Sequence, residues 1–298
     1  MTVDGWDGRG LPPVARARIQ RASADNVRTS LVSVNGLAGL EVAGFDVVGE
    51  VLGTAVMQIG WSGYGGCGWT GYNIGGFNSP YRDGLGGVSP PSRLSGYEPY
   101  AQAVRHGRDT ALNRMQLEAA ALGADGVVGV RFTDERMEGQ KREFMALGTA
   151  VRSRGRERPK TPFATDLGGQ DVAKLLTAGW VPAGITYGIA MAVRHDDWRT
   201  RNQSSYLAGN TEVNGYTELL THVRAQARRE FAALSAKQGA DAALMSTLWS
   251  HMWPIEVGEN HTDQVAECVI TGNAIARFHT GHKATTSSLT ILPLRSIR

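Results

Sequence analysis

The residues that could do chemistry are few and scattered. Gly63-Tyr64-Gly65-Gly66-Cys67-Gly68 spells G-x-G-x-x-G. A dinucleotide site needs the last glycine to open a helix whose N-terminus faces the pyrophosphate. Here Trp69-Thr70-Gly71-Tyr72 follows, so that reading is rejected. Metal ligation needs converging thiolate, imidazole or carboxylate groups, usually in closely spaced pairs. His279 with His282, and Cys67 in its glycine-rich surroundings, are the candidates for a divalent or heavy metal, and there is no C-x-x-C pair. Cys268 sits in a strand-like run and reads as a small core residue. Cys67 as a nucleophile would need a histidine within hydrogen-bond reach, and none stands out. No nucleophile elbow appears either. The residues alone therefore point to no cofactor and to a protein that is not an enzyme.

Residues suited to contact are more prominent. Gly60 to Val88 holds eleven glycines and six aromatics. Aromatics interleaved with glycine give large contact faces on an adaptable backbone. Trp61, Tyr64, Trp69 and Tyr72 are thus candidate interaction residues, for a neighbouring subunit or a protein partner; a passive surface loop is the alternative. Arg108 and Arg224 occupy equivalent places on two long helical patterns, as do Tyr100 and Tyr216. The arginines read either as solvent-facing charge or as interface ion pairs.

The elements that must position these residues come in two similar sets. An alanine-rich helical pattern from about Tyr97 to Leu122 ends at Gly123-Ala124-Asp125, and another from about Tyr216 to Gln238 ends at Gly239-Ala240-Asp241. Glycine supplies the left-handed backbone that closes a helix, so Gly123 and Gly239 read as C-caps that each feed a strand. Before each helix lies a β-branched run, from Phe45 and from Trp180, which align without a gap and place Gly49 on Gly184 and Gly53 on Gly188. Glycines four apart share one strand face and admit a close backbone, so the long helix is expected to cross there. After each helix come two more strands, in which Glu143 falls on Glu267, Gly148 on Gly272 and Ala150 on Ala274. The reading is an N-terminal arm over 1–29, a first domain over 30–153 with an insert at 60–96, a basic linker over 154–162, a second domain over 163–279, and a tail over 280–298.

Composition sets the frame. The chain has 298 residues, 42% hydrophobic and 20% charged, which suits two domains of a globular protein. No apolar run approaches the ~20 residues of a membrane helix. Two cysteines cannot build a disulfide framework, and the start shows no secretory pattern, so a cytoplasmic location is expected. A formal charge of +3 is too small to imply nucleic acid. The arm, with five arginines against three aspartates, is expected to dock on its own domain or to anchor an acidic partner.

Four segments in this order carry a family resemblance: Gly49-Glu50-Val51-Leu52-Gly53; the helix with Arg108, Ala111 and Ala119; Ala121 through Val130; and Gly148-Thr149-Ala150-Val151. Together they resemble the YbjQ-like family, also labelled a heavy-metal-binding domain. The match covers roughly Phe45 to Arg152 apart from the insert, and the second repeat resembles the family more loosely. The resemblance implies an α+β fold of two tandem β-α-β-β domains (dodecin-subunit-like), each a three-stranded antiparallel sheet under one long helix. It implies assembly into rings, as a homopentamer, and no known reaction. The leading expectation is thus a non-enzymatic ring-forming assembly or binding module. The alternatives are a metal-binding or metal-sequestering protein, then a thiol-dependent enzyme using Cys67.

Overall fold

The computed structural model describes residues 6, 10–24, 29–60, 94–156, 158–256 and 262–278. The basic arm folds into helix α1 (Pro13–Ala24), and Ser33 caps α2 (Val34–Val42) by accepting from the Gly36 amide. The β-branched run becomes β1 (Phe45–Gln58). A three-residue strand, β2 (Leu94–Gly96), leads into the long helix α3 (Glu98–Ala121), and β3 (Gly126–Arg136) and β4 (Lys141–Ser153) follow. The second half opens with a two-residue strand β5 (Phe163–Ala164) and helix α4 (Gly169–Thr177). It continues as β6 (Trp180–His195), a short α5 (Trp198–Gln203), the long α6 (Asn214–Lys237), β7 (Ala242–Glu256) and β8 (Thr262–Arg277).

The strands form two sheets, one with the order β1-β4-β3-β5 (sheet A) and one with the order β2-β6-β8-β7 (sheet B). In each, three long strands pair antiparallel. The expected three-stranded sheets are therefore four-stranded, and the fourth strand comes from the opposite half of the chain. β2 pairs antiparallel with β6, and β5 lies parallel to the start of β3. Such short pairings leave little periodic pattern in a sequence, since two or three residues cannot alternate visibly.

The long helices cross their sheets at the glycines. A Cβ on Gly53 would overlap the carbonyl oxygen of Ala111, and one on Gly188 that of Ala227. Gly123 and Gly239, each at φ 72°, cap α3 and α6. Both first strands slip register at matching places, between Val47 and Gly49 and between Pro182 and Gly184.

Helix α3 lies between the two sheets. Its Ala111 and Met115 belong to one core cluster with Val51 and Phe144 of sheet A and with Tyr187, Ile189, Met191 and Val269 of sheet B. The opposite face of sheet B packs Ala190, Cys268 and Ile270 against Leu219, Val223 and Phe231 of α6. The layers thus run sheet A, α3, sheet B, α6. Covered on both sides, β6 and β8 are buried almost end to end, which is why they read as continuous apolar runs. A smaller cluster of Leu40, Val128, Val151 and Val172 joins α2 and α4 to one end of sheet A. The arm docks on its own half. Arg18 of α1 donates from Nε to Glu118 of α3 at 2.6 Å and from Nη2 to the Leu52 carbonyl at 3.2 Å, while Arg114 stands 4.7 Å from the Trp6 ring.

Candidate functional site between the sheets

Where α3 meets sheet B, charged groups enter the core. Arg142 of β4 and Glu267 of β8 come from different sheets, are 4% and 0% exposed, and approach to 2.9 Å. Arg142 also grips Asp134 of β3 with its Nε and with Nη2, the latter at 2.7 Å, and donates to the Tyr100 hydroxyl at 3.0 Å. Tyr100 in turn donates to Glu267 at 3.4 Å. Burial works against the Arg142 charge, but Glu267 and Asp134 outweigh it and hold the guanidinium above its ordinary pKa. Burial first, then Glu267, pushes the Tyr100 hydroxyl up to about 12. A carboxylate and a guanidinium sealed from water keep their charges only when so paired.

Arg108 stands beside this group. It faces Asp134 at 3.5 Å and donates to Thr271 at 3.4 Å, and burial lowers its pKa against the pull of Asp134. Its Nε is buried with no hydrogen-bond partner among the described residues. The guanidinium also stands 5.3 Å from the Phe132 ring. Arg108 is thus not the solvent-facing charge of the first sequence reading, since it is buried between the two sheets of one chain and faces Asp134 there. Arg224 takes the equivalent place on α6, where it is half-buried and donates to Ser250 at 2.9 Å.

Alongside these groups a groove of about 910 Å³ opens between β3 and β7, with Arg108, Phe132, Asp134, Asp166 and Trp249 in its walls. The stretch just after β5 lines one end of it. Asn273 of β8 accepts from the Thr165 hydroxyl at 2.7 Å and from the Asp166 amide at 3.1 Å, while Val130 of β3 donates to the Thr165 carbonyl at 3.0 Å. The other wall is the last strand of sheet B. Along one face of β7 the rings of Trp249, His251 and Trp253 stack at 5.7 and 5.5 Å, with Arg136 lying 4.0 Å over Trp253. Leu244, Met245, Leu248 and Trp249 of this strand are all exposed.

Several sequence candidates fall elsewhere. Cys67, Trp61, Tyr64, Trp69, Tyr72, His279 and His282 lie outside the described residues. Cys268 is buried under α6, and burial raises its thiol to about 11, as expected of a core cysteine. Among the described residues no three histidine, cysteine, aspartate or glutamate side chains gather as a metal would require. The carboxylates at the site, Asp134 and Glu267, are engaged by arginine instead. Sequence reasoning aligned Glu143 with Glu267 but did not foresee the Arg142–Glu267–Asp134 network. The available signal was a charged pair, Lys141-Arg142 and Glu267, inside runs otherwise fit for a buried strand.

The fold defines a class of α+β protein in which antiparallel sheets alternate with single long helices. Residues 93–154 match the YbjQ family model, whose description reads "Putative heavy-metal-binding". The chain therefore carries a YbjQ-like domain, spanning α3, β3 and β4. An encapsulin nanocompartment protein of Mycobacterium tuberculosis is 28% identical over 298 residues, covering 96% of this chain and 98% of its own length. A UPF0145 protein of Archaeoglobus fulgidus is 51% identical over 57 residues, 19% of this chain and 53% of its own. One from Halorubrum lacusprofundi is 49% identical over 55 residues, 18% of this chain and 53% of its own. The chain spans about half the length of these UPF0145 relatives. No helix among the described residues is long and apolar enough to cross a membrane.

Proposed function

We propose that this protein is a non-enzymatic assembly module that closes into a ring of identical chains. The two halves, with their matched crossings, caps and bulges, are read as copies of one YbjQ-like unit, the first over 30–153 and the second over 163–279. The observation that carries the reading is the outer strand of sheet B. Six consecutive residues of β7, Leu244 to Trp249, are exposed, with large apolar side chains among them. A long strand edge of that kind is a template for another chain. The encapsulin relative, alike over nearly its whole length, supports an assembly role, and its name speaks only for that protein. Five chains is the count that the family resemblance implies, and a cytoplasmic location belongs to the same reading. The aromatic-rich insert remains a proposed contact for a neighbour or a protein partner. Native mass spectrometry of the full chain at micromolar concentration tests the reading. A stable monomer overturns it.

A metal-binding role is the second reading, favoured by the description of the family that residues 93–154 match. The described side chains do not fit a metal, so its ligands would have to include residues such as Cys67, His279 and His282. Elemental analysis of protein purified without added chelator decides it.

A further inference from the structure

We infer that the junction between α3 and sheet B is repeated between chains, with α6 of one copy packing on the outward face of sheet A of the next and Arg224 meeting the partner's Glu143. This rests on the assembly reading above and names the surfaces that make it.

Among the described residues the layer order leaves two unlike faces uncovered, α6 at one end and the outward face of sheet A at the other. Inside the chain the same two kinds of face already meet. On α3 the stripe Tyr100, Val104, Arg108 is buried against sheet B. The matching stripe on α6 is Tyr216, Leu220, Arg224, and each of these is only half-buried. Sheet B buries Tyr187, Met191, Glu267 and Val269 under α3. The matching positions on sheet A are Leu52, Val56, Glu143 and Met145. They point away from α3 and are half-buried, or in the case of Val56 55% exposed. Each uncovered face thus repeats the pattern of a face that is covered.

The charges agree. Within the chain an arginine on the helix, Arg108, reaches across the junction to Thr271 of β8, the strand that also carries the buried Glu267. At the uncovered faces the helix position is Arg224 and the sheet position is Glu143, so the sign of each is kept. Arg224 also carries a buried Nε with no hydrogen-bond partner among the described residues. The strand exchange fits the same repeat. Inside the chain β2, just ahead of α3, reaches sheet B, and β5, just ahead of α4, reaches sheet A. The residues in the matching place ahead of α6, Asn210 to Glu212, are exposed, and so is Ser30 ahead of α2. The strands they would meet, β1 and β7, are terminal strands of their sheets. A contact between two unlike faces on opposite sides of one molecule is heterologous, and closes into a ring when its rotation allows. Every sheet–helix unit then lies in a single ring, two per chain.

The test uses the full chain with native mass spectrometry and a dilution series. Arg224→Glu and Glu143→Arg should each weaken association at least tenfold, and the double exchange should restore most of it, with far-ultraviolet circular dichroism unchanged throughout. Val56→Arg supplies an independent variant, since it sets a charge on the exposed face of sheet A and should also shift the chain to monomer. Unchanged association in the single variants, or no recovery in the double, overturns this junction while leaving self-assembly intact. A monomeric wild-type chain overturns both.

Discussion

Arg142 ties two carboxylates on separate sheets into one network, so its removal leaves the fully buried Glu267 and the partly buried Asp134 without their main partner. Breaking a buried ion pair from one side costs about 3–5 kcal/mol. We expect Arg142→Ala to lower the unfolding free energy by that order in urea denaturation. A loss below about 1 kcal/mol would show that the network is solvated. Tyr100 gives the same network a pH signature. Its hydroxyl is raised to about 12 from the 10 of the unfolded chain, so the unfolded state ionises first. The neutral buried form contributes its stability in full below pH 10, and that contribution drains away as pH rises toward 12. Two pKa units correspond to roughly 2–3 kcal/mol. Tyr100→Phe should therefore lose less stability than wild type between pH 10 and 12, and parallel curves for the two proteins would refute the assignment. Cys268, raised to about 11 and covered by α6, should react with a thiol reagent only on unfolding when assayed in a Cys67→Ser background.

At the scale of elements, the helix–sheet crossings set the tolerance of each strand. Gly188→Ala would drive a methyl group into the Ala227 carbonyl and the Phe231 amide, both backbone and both fixed within a helix. Overpacking of that kind costs about 1–3 kcal/mol or more, because the whole helix must lift. Gly49 has open space around its Cβ direction, so Gly49→Ala should change stability by less than about 1 kcal/mol. Equal effects of the two substitutions in a denaturation experiment would contradict the crossing geometry. The N-terminal arm belongs to this scale as well. Glu118 is buried, and Arg18 is the cation that meets it. Arg18→Ala should cost about 1.5–3 kcal/mol, the range for a hydrogen bond to a charged group.

At the scale of the molecule, the described layers end in α6 on one side and in the outward face of sheet A on the other, and the side chains of β7 from Leu244 to Trp249 are exposed. A face that repeats a buried pattern while exposed to water gains free energy when a second copy covers it, at roughly 25 cal/mol for each Å² of apolar surface removed. Association should therefore weaken on cooling, as hydrophobic burial does. It should weaken with added salt only to the extent that the Arg224 contact contributes. A dilution series at two temperatures and two salt concentrations measures both. Association that strengthens on cooling and collapses in salt would point to a mainly electrostatic contact.

The sequence by itself determined the long elements and where they end. The three-four spacing in α3 and α6, the glycine caps after them, the four-residue glycine spacing in β1 and β6, and the buried cysteine are local patterns, each dictated by backbone geometry within one element. It also placed Arg108 level with Arg224 and Glu143 level with Glu267. Only the tertiary structure decided what those matches mean, because burial depends on which layer lies against which. Arg108 is buried since α3 has a sheet on either side, and Arg224 is half-buried since, among the described residues, α6 has one. The strand exchange through β2 and β5 and the Arg142–Glu267–Asp134 network were likewise settled by contacts between distant segments. Pairings of two or three residues, and single charges on otherwise apolar strands, leave no period for a sequence to show. Their partners are chosen when the sheets stack.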